Sequence, residues 1–257
     1  MDYQNSSEDQ LLQQADQCSI QCQPGETIGE MVAKDISKAG VFTKYGIDFC
    51  CGGKKNLRQV CYEKKLDYAA ISEELEKAGQ PLHVTVLPYQ QWPLPFLADY
   101  IVNVHHSYTR NKLPELAVYA GKVEGKHGEK NPELAAIKNF VTAIVFELGE
   151  HMDKEEKVLF PLIGQLCLAA QRGSLPEGTD TGLRYPIRRM LHEHEMAGSL
   201  LSQIRELTNG FTPPSHACAT WKVFYQSLAE FESDLHVHIH LENNILFPAA
   251  LKLTGEQ

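Results

Sequence analysis

His151-Met152-Asp153-Lys154-Glu155-Glu156-Lys157-Val158-Leu159-Phe160-Pro161 returns near the end of the chain as His238-Ile239-His240-Leu241-Glu242-Asn243-Asn244-Ile245-Leu246-Phe247-Pro248. Both copies run His-x-x-x-Glu-x-x-[Val/Ile]-Leu-Phe-Pro. A histidine and a glutamate four apart lie on one face of a helix, a turn from each other. Imidazole nitrogen beside carboxylate oxygen suits a first-row transition metal. One such pair is a common accident. Two pairs with the same apolar run and the same proline imply two related helices facing one metal centre.

Working outward, the repeat extends past the motif. His106 and His151 are 45 positions apart and His194 and His238 are 44 apart, while His106 to His194 spans 88 and His151 to His238 spans 87. These spacings predict two related helical hairpins. Four helical patterns carry them, over about 94–122, 132–170, 181–207 and 215–253, separated by glycine- and proline-marked breaks. With strand signals almost absent, the fold class is all-α and the architecture an antiparallel four-helix bundle. Pro161 and Pro248 each remove a backbone donor, so a bend is expected near Phe160.

The ligand set is then His106, His151 with Glu155, His194, and His238 with Glu242. Six protein ligands exceed what one tetrahedral zinc needs. They suit two metals about 3.5–4 Å apart, with Glu155 and Glu242 bridging. Two non-haem ferrous ions bring four positive charges and the carboxylates return two. A bridging oxo or hydroxo group neutralises most of the rest. Ferritin-type sites use Glu-x-x-His, but Leu148, Leu191 and Leu235 stand where those glutamates would be. The histidine-rich, hemerythrin-type alternative is favoured. Of the competing pairs (His105 with His106, His192 with His194, His236 and His240 around His238), only one member of each is expected to face the core. Glu147, four before His151, and Glu193, beside His194, are candidates to orient a ligand or handle protons.

Ahead of the bundle, 1–25 reads as a mobile polar tail carrying Cys18 and Cys22. Residues 26–80 read as a small helical module. Thr27-Ile28-Gly29-Glu30 has the form of a capping box, and a second helix covers Lys38 to Tyr45 and ends at Gly46. A third helix covers Lys54 to Lys65, and Asp67 caps a fourth that stops at Gly79. A proline-rich linker follows over 81–95, with 82–87 locally extended, and the bundle occupies 96–257. Between the second and third helices Asp48-Phe49-Cys50-Cys51-Gly52-Gly53 forms a tight loop. A helix N-terminus and Lys54-Lys55 beside it favour a reactive thiolate, for redox exchange or transient iron binding.

The 257 residues are 43% hydrophobic and 22% charged, with a formal net charge of −9. That balance argues against nucleic acid as a partner. No run reaches the roughly 20 apolar residues of a membrane span, and the polar, acidic start is not expected to be a signal peptide. Seven cysteines, an odd number with two adjacent, fit reduced or metal-linked thiols in the cytoplasm.

Together these residues resemble the repair-of-iron-centres family. The likeness is carried by Asp48-Phe49-Cys50-Cys51-Gly52-Gly53 in a short helical module, by Leu113-Pro114-Glu115-Leu116 after His106, and by Leu241-Glu242-Asn243-Asn244-Ile245-Leu246-Phe247-Pro248. It spans about residues 26–250. The resemblance implies a hemerythrin-like di-iron protein of bacterial cytoplasm that restores iron–sulfur clusters damaged by nitric oxide or oxidants. It carries the family's ligands onto the same six residues and its cysteine pair onto Cys50 and Cys51. The implied partners are damaged iron–sulfur proteins or the cluster assembly machinery, with nitric oxide or oxygen as small ligands and a monomer or homodimer as the assembly. Supplying iron and removing nitric oxide are both open, as are nitric-oxide reduction and reversible gas binding or sensing.

Overall fold

The computed structural model describes residues 25–78, 87–174, 182–253 and 255. The readings for the tail with Cys18 and Cys22, for the stop at Gly79 and for most of the extended stretch 82–87 lie outside the described residues. The described residues form two units. One comprises 25–48 and 52–78; the other comprises Phe49–Cys51 with the chain from Leu87 onward.

The first unit is four short helices: α1 Ile28–Lys34, α2 Lys38–Lys44, α3 Leu57–Lys64 and α4 Tyr68–Ala78. Local chemistry sets their ends. Thr27 and Glu30 form the capping box, Gly46 adopts φ +62°, and the Asp67 carboxylate accepts from the amides of Ala69 and Ala70. One expectation fails here. The third helix starts at Leu57 rather than Lys54, because Asn56 supplies the cap by accepting from Gln59 N at 2.8 Å. Residues 52–56 therefore form a turn between the cysteine pair and α3 in the sequence.

The second unit is the bundle: α5 Leu94–Tyr100, α6 Ser107–His127, α7 Glu133–Lys154, α8 Phe160–Gln171, α9 Arg184–Leu207, α10 Ala219–Leu241 and α11 Phe247–Leu253. Three π-helical stretches, Ile101–His106, Glu155–Leu159 and Glu242–Leu246, join α5 to α6, α7 to α8 and α10 to α11. α6 packs against α7 and α10, and α7 also packs against α9. Apolar residues at three- and four-residue spacing fill the centre, among them Leu116 and Val123 of α6, Ile137 and Ile144 of α7, Leu201 of α9 and Phe231 of α10. Each such side chain contributes about 1.5–3 kcal/mol by leaving water.

The bend expected from Pro161 takes a particular form. Proline has no N–H, and its ring collides with the carbonyl four residues back. That carbonyl belongs to Lys157, inside Glu155–Leu159, and for Pro248 it belongs to Asn244, inside Glu242–Leu246. The π turns hold both of these residues, and the helix resumes at Phe160 and at Phe247. The copied Leu-Phe-Pro tails thus mark a widened turn rather than an end.

Candidate metal centre

The three π turns lie at the histidine and glutamate residues. His106 closes the first, Glu155 opens the second and Glu242 opens the third. His151 stands on α7 one turn before Glu155, His194 in mid α9, and His238 one turn before Glu242. All six side chains are at most 1% exposed.

Their donor atoms converge into two sets, His106, Glu155, His238 and Glu242, and His151, Glu155, His194 and Glu242. Within each set the donor atoms lie within 4.8 Å of one another, and both carboxylates belong to both sets. Every imidazole presents Nε2 inward. His106 Nε2 lies 3.1 Å from His238 Nε2 and 3.4 Å from Glu155 Oε2. His151 Nε2 lies 2.9 Å from His194 Nε2 and 3.3 Å from Glu155 Oε2. Glu242 reaches His238 Nε2 with Oε1 at 3.0 Å and His194 Nε2 with Oε2 at 3.1 Å. Each set draws one histidine from each hairpin.

The outward nitrogens settle the tautomers. His106 Nδ1 donates to Glu156 Oε1 at 2.8 Å, His151 Nδ1 to Glu193 Oε2 at 3.0 Å, and His194 Nδ1 to Asn243 Oδ1 at 2.8 Å. A proton on Nδ1 leaves the Nε2 lone pair free for a metal. Lys154 and Arg189 clamp Glu193 in turn. Burial pushes the Glu193 carboxyl upward, but bonds from His151, Lys154 and Arg189 hold it well below the usual range, so it is ionised. Glu147, the other candidate, lines a surface groove with Phe146, Glu150 and Tyr185, and His151 Nδ1 is taken by Glu193.

The donor chemistry fits a cation. Both Glu155 oxygens and Glu242 Oε2 are buried without a hydrogen bond, and nitrogens face each other at hydrogen-bond distance. A buried carboxylate oxygen without a hydrogen bond is costly. Burial alone disfavours a charged imidazole, yet Glu155 and Glu242 push His106 up to about 10, and chiefly Glu155 pushes His151 up to about 10. Burial raises Glu155 and Glu242, but the facing histidines hold both below the usual carboxylate range. The cluster demands positive charge, either as protons or as metal. Six hard-to-borderline O and N donors, gathered in two sets, fit first-row ions such as iron.

The expectation that one member of each histidine pair faces the core is wrong for two of them. His105 and His240 are buried alongside His106 and His238, while His192 is exposed. α10 is covered on more than one side. His105 Nδ1 bonds Asp234 at 3.0 Å, and His240 meets the Phe49 ring edge at 5.7 Å and accepts at Nδ1 from Asn244.

The Cys50 and Cys51 sulfurs lie 3.9 Å apart, outside both donor sets. Asn244 Nδ2 donates to the Cys50 and Phe49 carbonyls at 3.2 and 3.3 Å. Asn243, which holds His194, also places its Nδ2 3.5 Å from the Cys50 carbonyl. Glu156 and Asn243 were missed in the sequence, although each directly follows a repeated glutamate.

Residues 97–250 match the hemerythrin HHE cation binding domain, and residues 24–79 match ScdA_N, described as a domain of unknown function (DUF542). The chain is 39% identical over 228 residues to the iron-sulfur cluster repair protein YtfE of Pectobacterium atrosepticum, covering 88% of this chain and 97% of that one. The chain belongs to the YtfE-type iron–sulfur cluster repair family. Other members include the iron-sulfur cluster repair proteins YtfE of Escherichia coli, 39% identical over 227 residues, and of Shigella boydii, 38% identical over 227, each match covering 88% of this chain and 96% of the relative. The family's hemerythrin-like part coincides with the bundle that carries both donor sets.

Proposed function

We propose that this chain holds two iron ions at His106, His151, Glu155, His194, His238 and Glu242, and uses them to restore iron–sulfur clusters damaged by nitric oxide or oxidants. The observation that carries the di-iron reading is the sharing of Glu155 and Glu242 by both donor sets. A carboxylate that faces two histidine pairs could serve two bound ions at once, and its charge would offset part of theirs. The relatives' name as repair proteins supports the role. When bound, the ions supply transferable iron and open coordination for a small ligand such as nitric oxide. Among the described residues, no helix is long and apolar enough to cross a membrane, in keeping with a cytoplasmic role.

The chain's own groups do the rest. Glu156, Glu193 and Asn243 orient three imidazoles and fix their tautomers. Phe160 and Phe247 stack beside the buried rings of His106 and His194. Cys50 and Cys51 remain candidates for redox exchange or iron transfer. Damaged cluster proteins or the assembly machinery are the partners, and supplying iron or removing nitric oxide is the step at the site.

The test gives the iron-loaded protein to a nitrosylated iron–sulfur enzyme and follows recovery of activity and loss of protein-bound iron together. Recovery with matching iron loss supports donation. Recovery with iron retained points instead to removal of nitric oxide, and no recovery sinks the repair reading. Cys50→Ser with Cys51→Ser, if recovery is unchanged, removes the cysteines from the mechanism.

A further inference from the structure

Resting on that di-iron reading, we propose that the two metal positions are unequal by construction, and that the position held by His106 and His238 gives up its ion first. The bundle's repeat makes the inequality visible. It pairs His106 with His194, His151 with His238, Glu155 with Glu242 and Glu156 with Asn243, at separations of 87 or 88 residues. It also pairs Glu193 with His105 at a separation of 88.

Three outward nitrogens obey the repeat and one does not. Glu156 backs His106, and its counterpart Asn243 backs His194. Glu193 backs His151. His105, the counterpart of Glu193, does not back His238. Its ring stacks on His238 with centroids 5.8 Å apart and planes at 12°, and its Nδ1 is turned to Asp234. His238 Nδ1 and His105 Nε2 are both buried without a hydrogen-bond partner.

The energetic consequence is direct. A hydrogen-bonded acceptor behind an imidazole fixes the ring, sets the tautomer and strengthens the donor, and losing it costs about 10–100-fold in metal affinity. The position of His151 and His194 has one carboxylate and one amide acceptor. The position of His106 and His238 has one carboxylate and one bare ring. Position against position the difference is one amide acceptor, which places it at about tenfold, the lower end of that range. Moreover, the Glu156 oxygen bonded to His106 is shared with Arg110, whereas Glu193 uses a separate oxygen for Lys154 and Arg189. For a protein that donates iron, this gives an ordered release, one ion ready and one retained.

The test loads the full chain with ferrous iron, confirms two equivalents by metal analysis, and follows capture by a coloured chelator without any client enzyme. Two equal phases are expected, the first about tenfold faster. His238→Ala removes the fast phase and leaves one ion with the wild-type slow rate, whereas His194→Ala removes the slow phase. His105→Glu with Asp234→Asn supplies the carboxylate that the repeat lacks there, without Asp234 beside it as a like charge, and slows the fast phase toward the slow one. A single release rate in the wild-type chain, or the reversed result in the alanine pair, overturns the inequality while leaving the di-iron reading intact. Uptake of only one equivalent by the wild-type chain overturns both.

Discussion

Glu155 is where the metal centre is most exposed to a single change of chemistry, because its two oxygens are buried, lack hydrogen bonds and face both histidine pairs. Replacing Glu155 and Glu242 together with alanine removes both shared ligands, and metal analysis is expected to find fewer than two irons per chain; two irons in that variant would end the bridging assignment. His240 makes a separate prediction. Burial lowers its pKa to about 4 from an ordinary 6.5, and the Asn244 amide donating to Nδ1 favours the same neutral ring. The folded chain keeps His240 neutral while the unfolded chain takes up a proton below about 6.5. Its contribution is therefore fully present above pH 6.5 and is lost as pH falls through about 4, amounting to about 3 kcal/mol in all. Urea midpoints at pH 7 and pH 4.5 check this: His240→Gln flattens the difference, and an equally steep decline in the variant removes His240 as its source. At this scale the six histidine and glutamate positions were legible, since an 87–88-residue repeat survives any uncertainty in helix ends. The groups behind them were not. Whether Glu156 or Glu147 reaches an imidazole depends on helix rotation and on a neighbouring helix, and both are set by packing rather than by spacing along one chain.

The elements explain why donor atoms from separate helices meet. A regular α-helix would carry the carbonyls of Lys157 and Asn244 into the rings of Pro161 and Pro248, and the π turns avoid this by widening at Glu155–Leu159 and Glu242–Leu246. The same widening begins at each shared glutamate, so backbone geometry and ligand placement are tied. Pro248→Ala restores a donor and removes the collision, allowing the last segment to become regular helix. Calorimetry is expected to find the apo variant more stable, while iron affinity falls by about tenfold as Glu242 turns away from its partners. Raised stability with unchanged affinity would separate the π turn from the site. The prolines were legible as irregularities; the form of the irregularity was not, because a missing donor and a ring clash are compatible with either a bend or a widened turn. Helix starts drifted for a similar local reason. Asn56 outcompetes the lysines as a cap, a preference that hydrophobic periodicity does not register.

On the scale of the whole molecule, the bundle was readable because its four amphipathic stripes and glycine breaks agree with one another, whereas Phe49–Cys51 was read as part of the short helical module and is grouped with the bundle. Nothing local marks that grouping, since it rests on Asn243 and Asn244 almost two hundred residues away. The bundle's cohesion has a weak point at its centre, where two carboxylates and four imidazoles are gathered out of water. Hydrophobic burial around them cannot neutralise that charge, and protons do so only by uptake onto rings that burial would otherwise keep neutral. A metal that binds the folded chain and not the unfolded one stabilises by about 4 kcal/mol at a thousandfold excess over its dissociation constant. For a chain of this size that corresponds to a Tm higher by about 10 °C. Stripping the metal with a chelator is expected to lower Tm by that order and to make the apo protein's stability fall as pH rises through about 10, where the His106 and His151 protons are lost. The loaded protein has no such proton to lose there. Scanning calorimetry of both forms from pH 7 to 10.5 decides the matter: coincident curves would mean that protons, not metal, balance Glu155 and Glu242.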